Sequence, residues 1–189
     1  MGTDHDHRVC TYAEAESIMQ KYQTVYVNDC FCRTPAKNGK EKWKYCGHPT
    51  LTCISFKKFK DGKMGEMEVL QKEIDQSEGM QLIKDWKQQG LFFRFMSDDS
   101  LCLCCSCGCG WFRDEEGNRC TDSCDPSSYI EKTNDEMCTL CGICVDICAY
   151  DARKIENDHM LVISEKCSGC SACEYACPEN AITMVSRIT

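Results

Sequence analysis

The sequence predicts an α+β chain in two parts: a small cysteine-rich α+β domain over residues 1–128, then a small pseudo-symmetric unit over residues 129–189. Three observations predict it. Helical and β-type hydrophobic patterns alternate through the first hundred residues. A four-cysteine pattern near the C-terminus recurs after a shift of 29 residues. Finally, 20 of the 189 residues are cysteine. In a short secreted chain that density would mean a disulfide scaffold, but the order of the cysteines argues otherwise. The length suits one large domain or two small ones, and 42% hydrophobic residues allow a real core.

The elements follow in order. Residues Thr11–Tyr22 place Tyr12, Ala15, Ile18, Met19 and Tyr22 at helical spacing. Thr24–Val27 reads as a strand, and Leu51–Phe56 and Glu66–Leu70 as weaker ones. Glu78–Gln89 is expected to be a helix with Leu82, Ile83 and Trp86 on one face and Gly90 as its stop. Leu91–Met96 is an expected strand, Leu101–Asp125 a cysteine-dense stretch, and Asp125–Tyr129 a linker. Beyond it, Arg153–Glu156 and Met160–Ile163 flank Asn157-Asp158, a hairpin signal. Short helices are expected after Gly142 and Ser171, and a strand over Ala181–Val185.

Composition narrows the function. Met1–Arg8 is polar with no apolar run behind it, so no secretory signal is read. No stretch approaches the roughly 18 apolar residues of a membrane span. The expected setting is the cytoplasm, where thiols stay reduced and clustered cysteines usually bind metal. So many thiols also suggest an anaerobic or oxygen-poor host. The formal net charge is −8. Residues 130–189 hold ten acids against five bases, which argues for a basic docking partner and against nucleic acid. A basic stretch between Lys37 and Lys63, with Trp43 and Tyr45 inside it, reads as a solvated face, with an acidic-partner patch as the alternative. No phosphate loop, Ser/His/Asp set or dinucleotide fingerprint is present.

The chemistry lies in the repeat. Cys138, Cys141, Cys144 and Cys148 recur as Cys167, Cys170, Cys173 and Cys177; Ala152 matches Ala181 and Ile155 matches Met184. Three closely spaced thiolates on a tight loop can hold three corners of one cube, and the fourth ligand must come from elsewhere. Residues 130–187 resemble a bacterial two-cluster ferredoxin domain, with all eight expected ligands present. The resemblance implies two [4Fe-4S] clusters, because in such ferredoxins the fourth Cys of each run ligates the other cluster. One cluster would take Cys138, Cys141, Cys144 and Cys177, the other Cys167, Cys170, Cys173 and Cys148, so metal binding would be part of folding. Zinc, which favours paired Cys-x2-Cys sites, is the alternative. Ala149 stands where a proline would usually follow Cys148.

Twelve cysteines remain upstream. The segments Cys30-Phe31-Cys32-Arg33, Cys46-Gly47-His48-Pro49 with Cys53, and Cys102 to Cys109 are similar to a little-described group of anaerobe iron–sulfur proteins, in which a cysteine-rich N-terminal domain precedes such a ferredoxin. The Pro126–Tyr129 segment fits it too. The sequence departs from it at Gly108, where consecutive cysteines are expected. Neighbouring thiolates repel unless protonated, oxidised or metal-bound. Cys30, Cys32, Cys46, Cys53, Cys102, Cys104, Cys105, Cys107 and Cys109 are therefore candidate ligands of one or more additional iron–sulfur clusters, with zinc or redox-active thiols as alternatives. His48 is either a further ligand or a hydrogen-bonding surface residue. His5 and His7 are expected in an unstructured polar terminus.

The expected function is single-electron relay to or from a partner oxidoreductase. An N-terminal iron–sulfur site that reduces a small substrate, or a permanent electron-transfer subunit of a larger complex, are the alternatives.

Overall fold

In the computed structural model, residues 7–30, 32–33, 47–64, 67–68, 70–96, 100–107, 109 and 125–187 are described. The fold is mixed α and β, with strands dominant and four α-helices among the described residues. The N-terminal part is built on a six-stranded antiparallel sheet. Its strands are β1 (His7–Cys10), β2 (Thr24–Asp29), β3 (Leu51–Ser55), β6 (Gln71–Asp75), β7 (Phe92–Met96) and β8 (Ser100–Cys104), in the order β1-β7-β8-β3-β2-β6. A two-residue pair, β4 (Lys63–Met64) and β5 (Met67–Glu68), lies outside it.

Two helices cover the front of this sheet. In α1 (Tyr12–Met19), Thr11 accepts from the Glu14 backbone N–H while Glu14 reaches back to the Thr11 N–H, a capping box. In α2 (Gln76–Gln88), Asp75 and Glu78 make the same pair, so this helix starts two residues earlier than the apolar pattern predicts. The front core joins Tyr12, Ala15 and Met19 of α1 with Ile83 and Trp86 of α2, over Val25, Val27, Ile54, Ile74, Phe93, Leu101 and Leu103. Gly79 permits the close helix contact, since a Cβ there would sit 2.8 Å from the Met19 Cε.

Alternation along the strands sends every second side chain to the rear. Val9, Phe92 and Cys104 therefore pack in a separate layer with Ala149, Tyr150 and Ala152 from the C-terminal part. Phe92 and Tyr150 meet with ring centroids 5.5 Å apart.

The C-terminal part contains β9 (Tyr129–Thr133), α3 (Ile143–Asp146), β10 (Arg153–Glu156), β11 (His159–Val162), α4 (Ala172–Ala176) and β12 (Ile182–Ser186). β9 pairs antiparallel with β12, and β10 with β11. Asn157 and Asp158 both have positive φ at the β10–β11 turn, as the sequence predicts for this hairpin. Positive φ also recurs at the 29-residue interval: Leu140 with Gly169, Gly142 with Ser171, and Asp151 with Asn180.

Five strands go beyond those the sequence predicts: β1, β4, β6, β8 and β9. His7 opens β1 rather than lying in an unstructured terminus. The expected linker is tied down. Asp125 bridges to Arg8, and Ser127 is buried and donates its N–H to the Ser168 carbonyl at 2.9 Å. Further contacts bind the two parts together. The Tyr12 N–H donates to Ser171 Oγ at 2.8 Å, Tyr12 meets Tyr175 edge-on, and the Lys87 ammonium lies over both rings.

Candidate iron–sulfur centres

The turns around α3 and α4 build two hollows. Positive φ at Leu140 and Gly142 lets the chain bend tightly between Cys138, Cys141 and Cys144. Gly169 and Ser171 do the same for Cys167, Cys170 and Cys173. The first hollow, with about 320 Å³ of open space, is lined by Cys138, Cys141, Cys144 and Cys177. The second, about 360 Å³, is lined by Cys148, Cys167, Cys170 and Cys173. Each thus gathers three cysteines of one run and the last cysteine of the other. The two distant cysteines are held alike: the Ala152 N–H donates to Cys148 Sγ and the Ala181 N–H to Cys177 Sγ, both at 3.3 Å.

Arg153 is buried between the two sets. It pairs with Glu131 at 2.5 Å, with side-chain exposures of 1% and 6%, and donates to Thr133 Oγ1 at 2.9 Å. Burial raises the thiol pKa of both Cys144 and Cys173, and the Arg153 charge opposes that rise. Burial also pushes Cys170 up to about 12. Bare, these thiols would stay protonated. Iron, which binds the thiolate and displaces the proton, suits such a donor set. This donor set fits iron–sulfur ligation.

A second concentration of thiols lies behind the N-terminal sheet. Cys53 and Cys102 face each other across β3 and β8, with sulfurs 3.9 Å apart, and Cys102 pairs in turn with Arg94 of β7. The sulfurs of Cys104 and Cys109 are 3.5 Å apart. Cys30 hydrogen-bonds to Cys32, and Cys32 to Cys109. The bond from Cys32, helped by the adjacent Arg33 guanidinium, holds the Cys30 thiol down to about 5. Hydrogen bonding to Cys109 and Cys30, with burial, drives Cys32 the other way. The Cys102 and Cys104 thiols are also raised, chiefly by their bonds to Cys53 and Cys109 and by burial. The fully buried Arg94 works against the rise at Cys104. Arg33 donates to Thr52 Oγ1, and to the Leu103 carbonyl at 2.6 Å.

Among the remaining candidates, Cys105 and Cys107 lie with His48 instead. Burial and the Arg33 charge lower the His48 pKa. Cys46 lies outside the described residues. Cys10 is fully buried in the front core. Arg33, Arg94, Glu131 and Arg153 were missed in sequence. Arg33 follows Cys32 directly, so it was in plain view. The other three carry no signal without the sheet register.

Among known families, the 4Fe-4S binding domain matches residues 160–183. The archaeal-type glutamate synthase [NADPH] of Thermotoga sp. (strain RQ2) is 36% identical over 61 residues, 31% of this chain and 12% of that protein. A protein of the same description from Dehalococcoides mccartyi is 30% identical over 61 residues, again 12% of its length. A ferredoxin of Pyrobaculum islandicum is 38% identical over 55 residues, 29% of this chain and 51% of that ferredoxin. The chain thus spans a small fraction of the synthases and about half of the ferredoxin. No solved structure matches it. No helix among the described residues is long and apolar enough to cross a membrane. Residues 160–183 carry a ferredoxin-type 4Fe-4S binding domain, and the chemistry it supports is iron–sulfur electron transfer.

Proposed function

We propose that this protein relays single electrons to or from a partner oxidoreductase through two [4Fe-4S] clusters held in crossed ligation. In this reading residues 129–189 form a pseudo-symmetric two-cluster ferredoxin domain, and residues 1–128 a cysteine-rich domain with an additional iron–sulfur site. The single observation that carries it is the lining of the two hollows, each by three cysteines of one run and the fourth of the other. When bound, such a cluster supplies reversible one-electron chemistry. Cys138, Cys141, Cys144 and Cys177 would hold one; Cys167, Cys170, Cys173 and Cys148 the other.

The chain's own groups suit the task. The Ala152 and Ala181 N–H groups donate to ligand sulfurs, which favours the more electron-rich state. Arg153 brings a buried positive charge beside both thiol sets, and Glu131 fixes its position. Cys141 is exposed, and Met137 and Ile143 beside it are 45% and 44% exposed. With the exposed acids Asp135, Glu136 and Asp146 nearby in the chain, and Glu179 on the lining of the same hollow, this end suits a basic partner.

The rear-face thiols suit the additional site. Cys53 with Cys102, and Cys104 with Cys109, are spaced like two thiolates on one iron. Cys102, Cys104 and Cys109 share the Phe92–Tyr150 layer with Cys148 and Cys167 of the second hollow. A second reading, a permanent subunit of a larger redox enzyme, is favoured by the likeness to a 12% portion of the glutamate synthases. Anaerobic iron and sulfide analysis with EPR of the reduced full-length chain tests the main reading. About eight irons in the C-terminal centres and more in the whole chain are expected; zinc in place of iron would overturn it.

A further inference from the structure

We propose that His48, Cys105 and Cys107 form a separate site for one thiophilic divalent metal ion, zinc by preference, distinct from every iron–sulfur centre. Adjacent residues of an extended chain point to opposite sides. Cys104 enters the rear layer with Phe92, whereas Cys105 packs into the front core with Leu101 and Leu103. Cys107, one turn further on, packs against the same front core. The run from Cys102 to Cys109 therefore does not serve one centre. Cys105 and Cys107 leave the set that Cys102, Cys104 and Cys109 share with Cys30, Cys32 and Cys53.

The segment before β3 supplies the third donor. His48 Nδ1 lies 3.5 Å from Cys107 Sγ. The donor atoms of His48, Cys105 and Cys107 all lie within 4.8 Å of one another. A tetrahedral ion with metal–sulfur bonds of about 2.3 Å and metal–nitrogen bonds of about 2.0–2.1 Å separates its S and N donors by about 3.6 Å. The His48–Cys107 spacing matches that edge. A four-iron cube would hold each donor on its own iron at a separate corner, and so farther apart. Two thiolates and an imidazole are the donors that zinc accepts and that magnesium and calcium do not. Cys105 is buried while His48 and Cys107 are half-buried, so an ion can enter from solvent. Three protein donors leave a fourth position open, the arrangement of zinc sites that bind water or substrate.

The test uses the full-length protein, purified anaerobically with its clusters loaded and any resident non-cluster metal removed by a mild chelator, and Co²⁺ as the probe. One equivalent of Co²⁺ should bind with thiolate charge-transfer and tetrahedral ligand-field bands, and Zn²⁺ should displace it. Cys107→Ser and His48→Ala should each weaken Co²⁺ binding by at least about 10-fold. Iron content, acid-labile sulfide and the EPR of the reduced protein should stay unchanged in both variants. Absence of the cobalt bands in the unaltered protein would overturn the proposal, and so would unchanged binding in both variants. Loss of iron and sulfide from Cys107→Ser would overturn it differently, by making Cys107 a cluster ligand. Metal analysis of the unaltered protein needs no variant to fold: a non-cluster metal at one per chain is expected there.

Discussion

Gly169→Ala is the sharpest perturbation the fold offers. Gly169 sits between Ser168 and Cys170 at φ +70, and a Cβ added there would lie 2.0 Å from the Tyr129 carbonyl oxygen and 3.1 Å from Ser127 Cβ. Carbon and carbonyl oxygen ordinarily approach no closer than about 3.3 Å, so backbone must move by more than about 1 Å. The left-handed conformation costs alanine about 1–2 kcal/mol, and forced overpacking about 1–3 kcal/mol more. The expected loss is about 2–5 kcal/mol, or about 4–20 °C in apparent unfolding temperature for a chain of this length. The displaced atoms belong to the start of β9 and to the loop of the second hollow. Iron should therefore be lost there before it is lost from the first. Leu140, the partner position one repeat earlier, has φ 56 and already carries a side chain. Leu140→Gly should change stability by less than about 1 kcal/mol. The assay is anaerobic thermal unfolding at one scan rate, with iron content measured before heating. A Gly169→Ala protein with full iron and a transition within about 1 °C of the unaltered chain would show that this turn accepts a side chain.

Three further outcomes are expected. Cys177→Ser should deplete the centre of Cys138, Cys141 and Cys144, although Cys177 belongs in sequence to the other run; EPR showing loss only of the Cys167–Cys173 centre would reverse the ligand assignment. Glu131→Gln should leave the Arg153 guanidinium buried without its carboxylate and destabilise the chain by about 3–5 kcal/mol, read as a lower guanidinium midpoint with an unchanged slope. Electron transfer to a basic partner should slow as salt rises past about 0.1 M, where screening falls to about 10 Å; salt-independent transfer would favour the permanent-subunit reading.

The eight cysteines of the repeat could be read as candidate ligands because such spacing is local: three donors on one tight loop must be close in sequence. The hairpin at Asn157-Asp158 was readable for the same reason, since two consecutive positive φ angles select those residue types. The six-stranded sheet was only partly visible. Its alternation at Leu101-Cys102-Leu103-Cys104 is a strand pattern, but the same cysteine spacing is equally a metal-ligand pattern. The start of α2 was hidden by attention to apolar spacing, while the Asp75/Glu78 pair marked it. What no local pattern could supply was partnership across the fold. Nothing in sequence brings Cys53 beside Cys102, separates Cys104 from Cys105, or aligns Arg94 with Cys102, because each depends on register between distant strands. His48 joining Cys105 and Cys107 belongs to the same class of fact.

The shared layer of Val9, Phe92, Ala149, Tyr150 and Ala152 carries a consequence for the life of the molecule. The loop beneath the second hollow serves as the lid over the rear of the N-terminal sheet. If oxygen destroys the centre proposed for the second hollow, the lid should loosen and uncover a patch of aromatic and aliphatic surface. Oxidative damage would then be broadcast as a change in surface. A spent copy would become cleavable and sticky instead of persisting as a silent competitor for the partner. Brief protease treatment should read this directly, cutting air-exposed chains at Asp125–Tyr129 while sparing anaerobic ones.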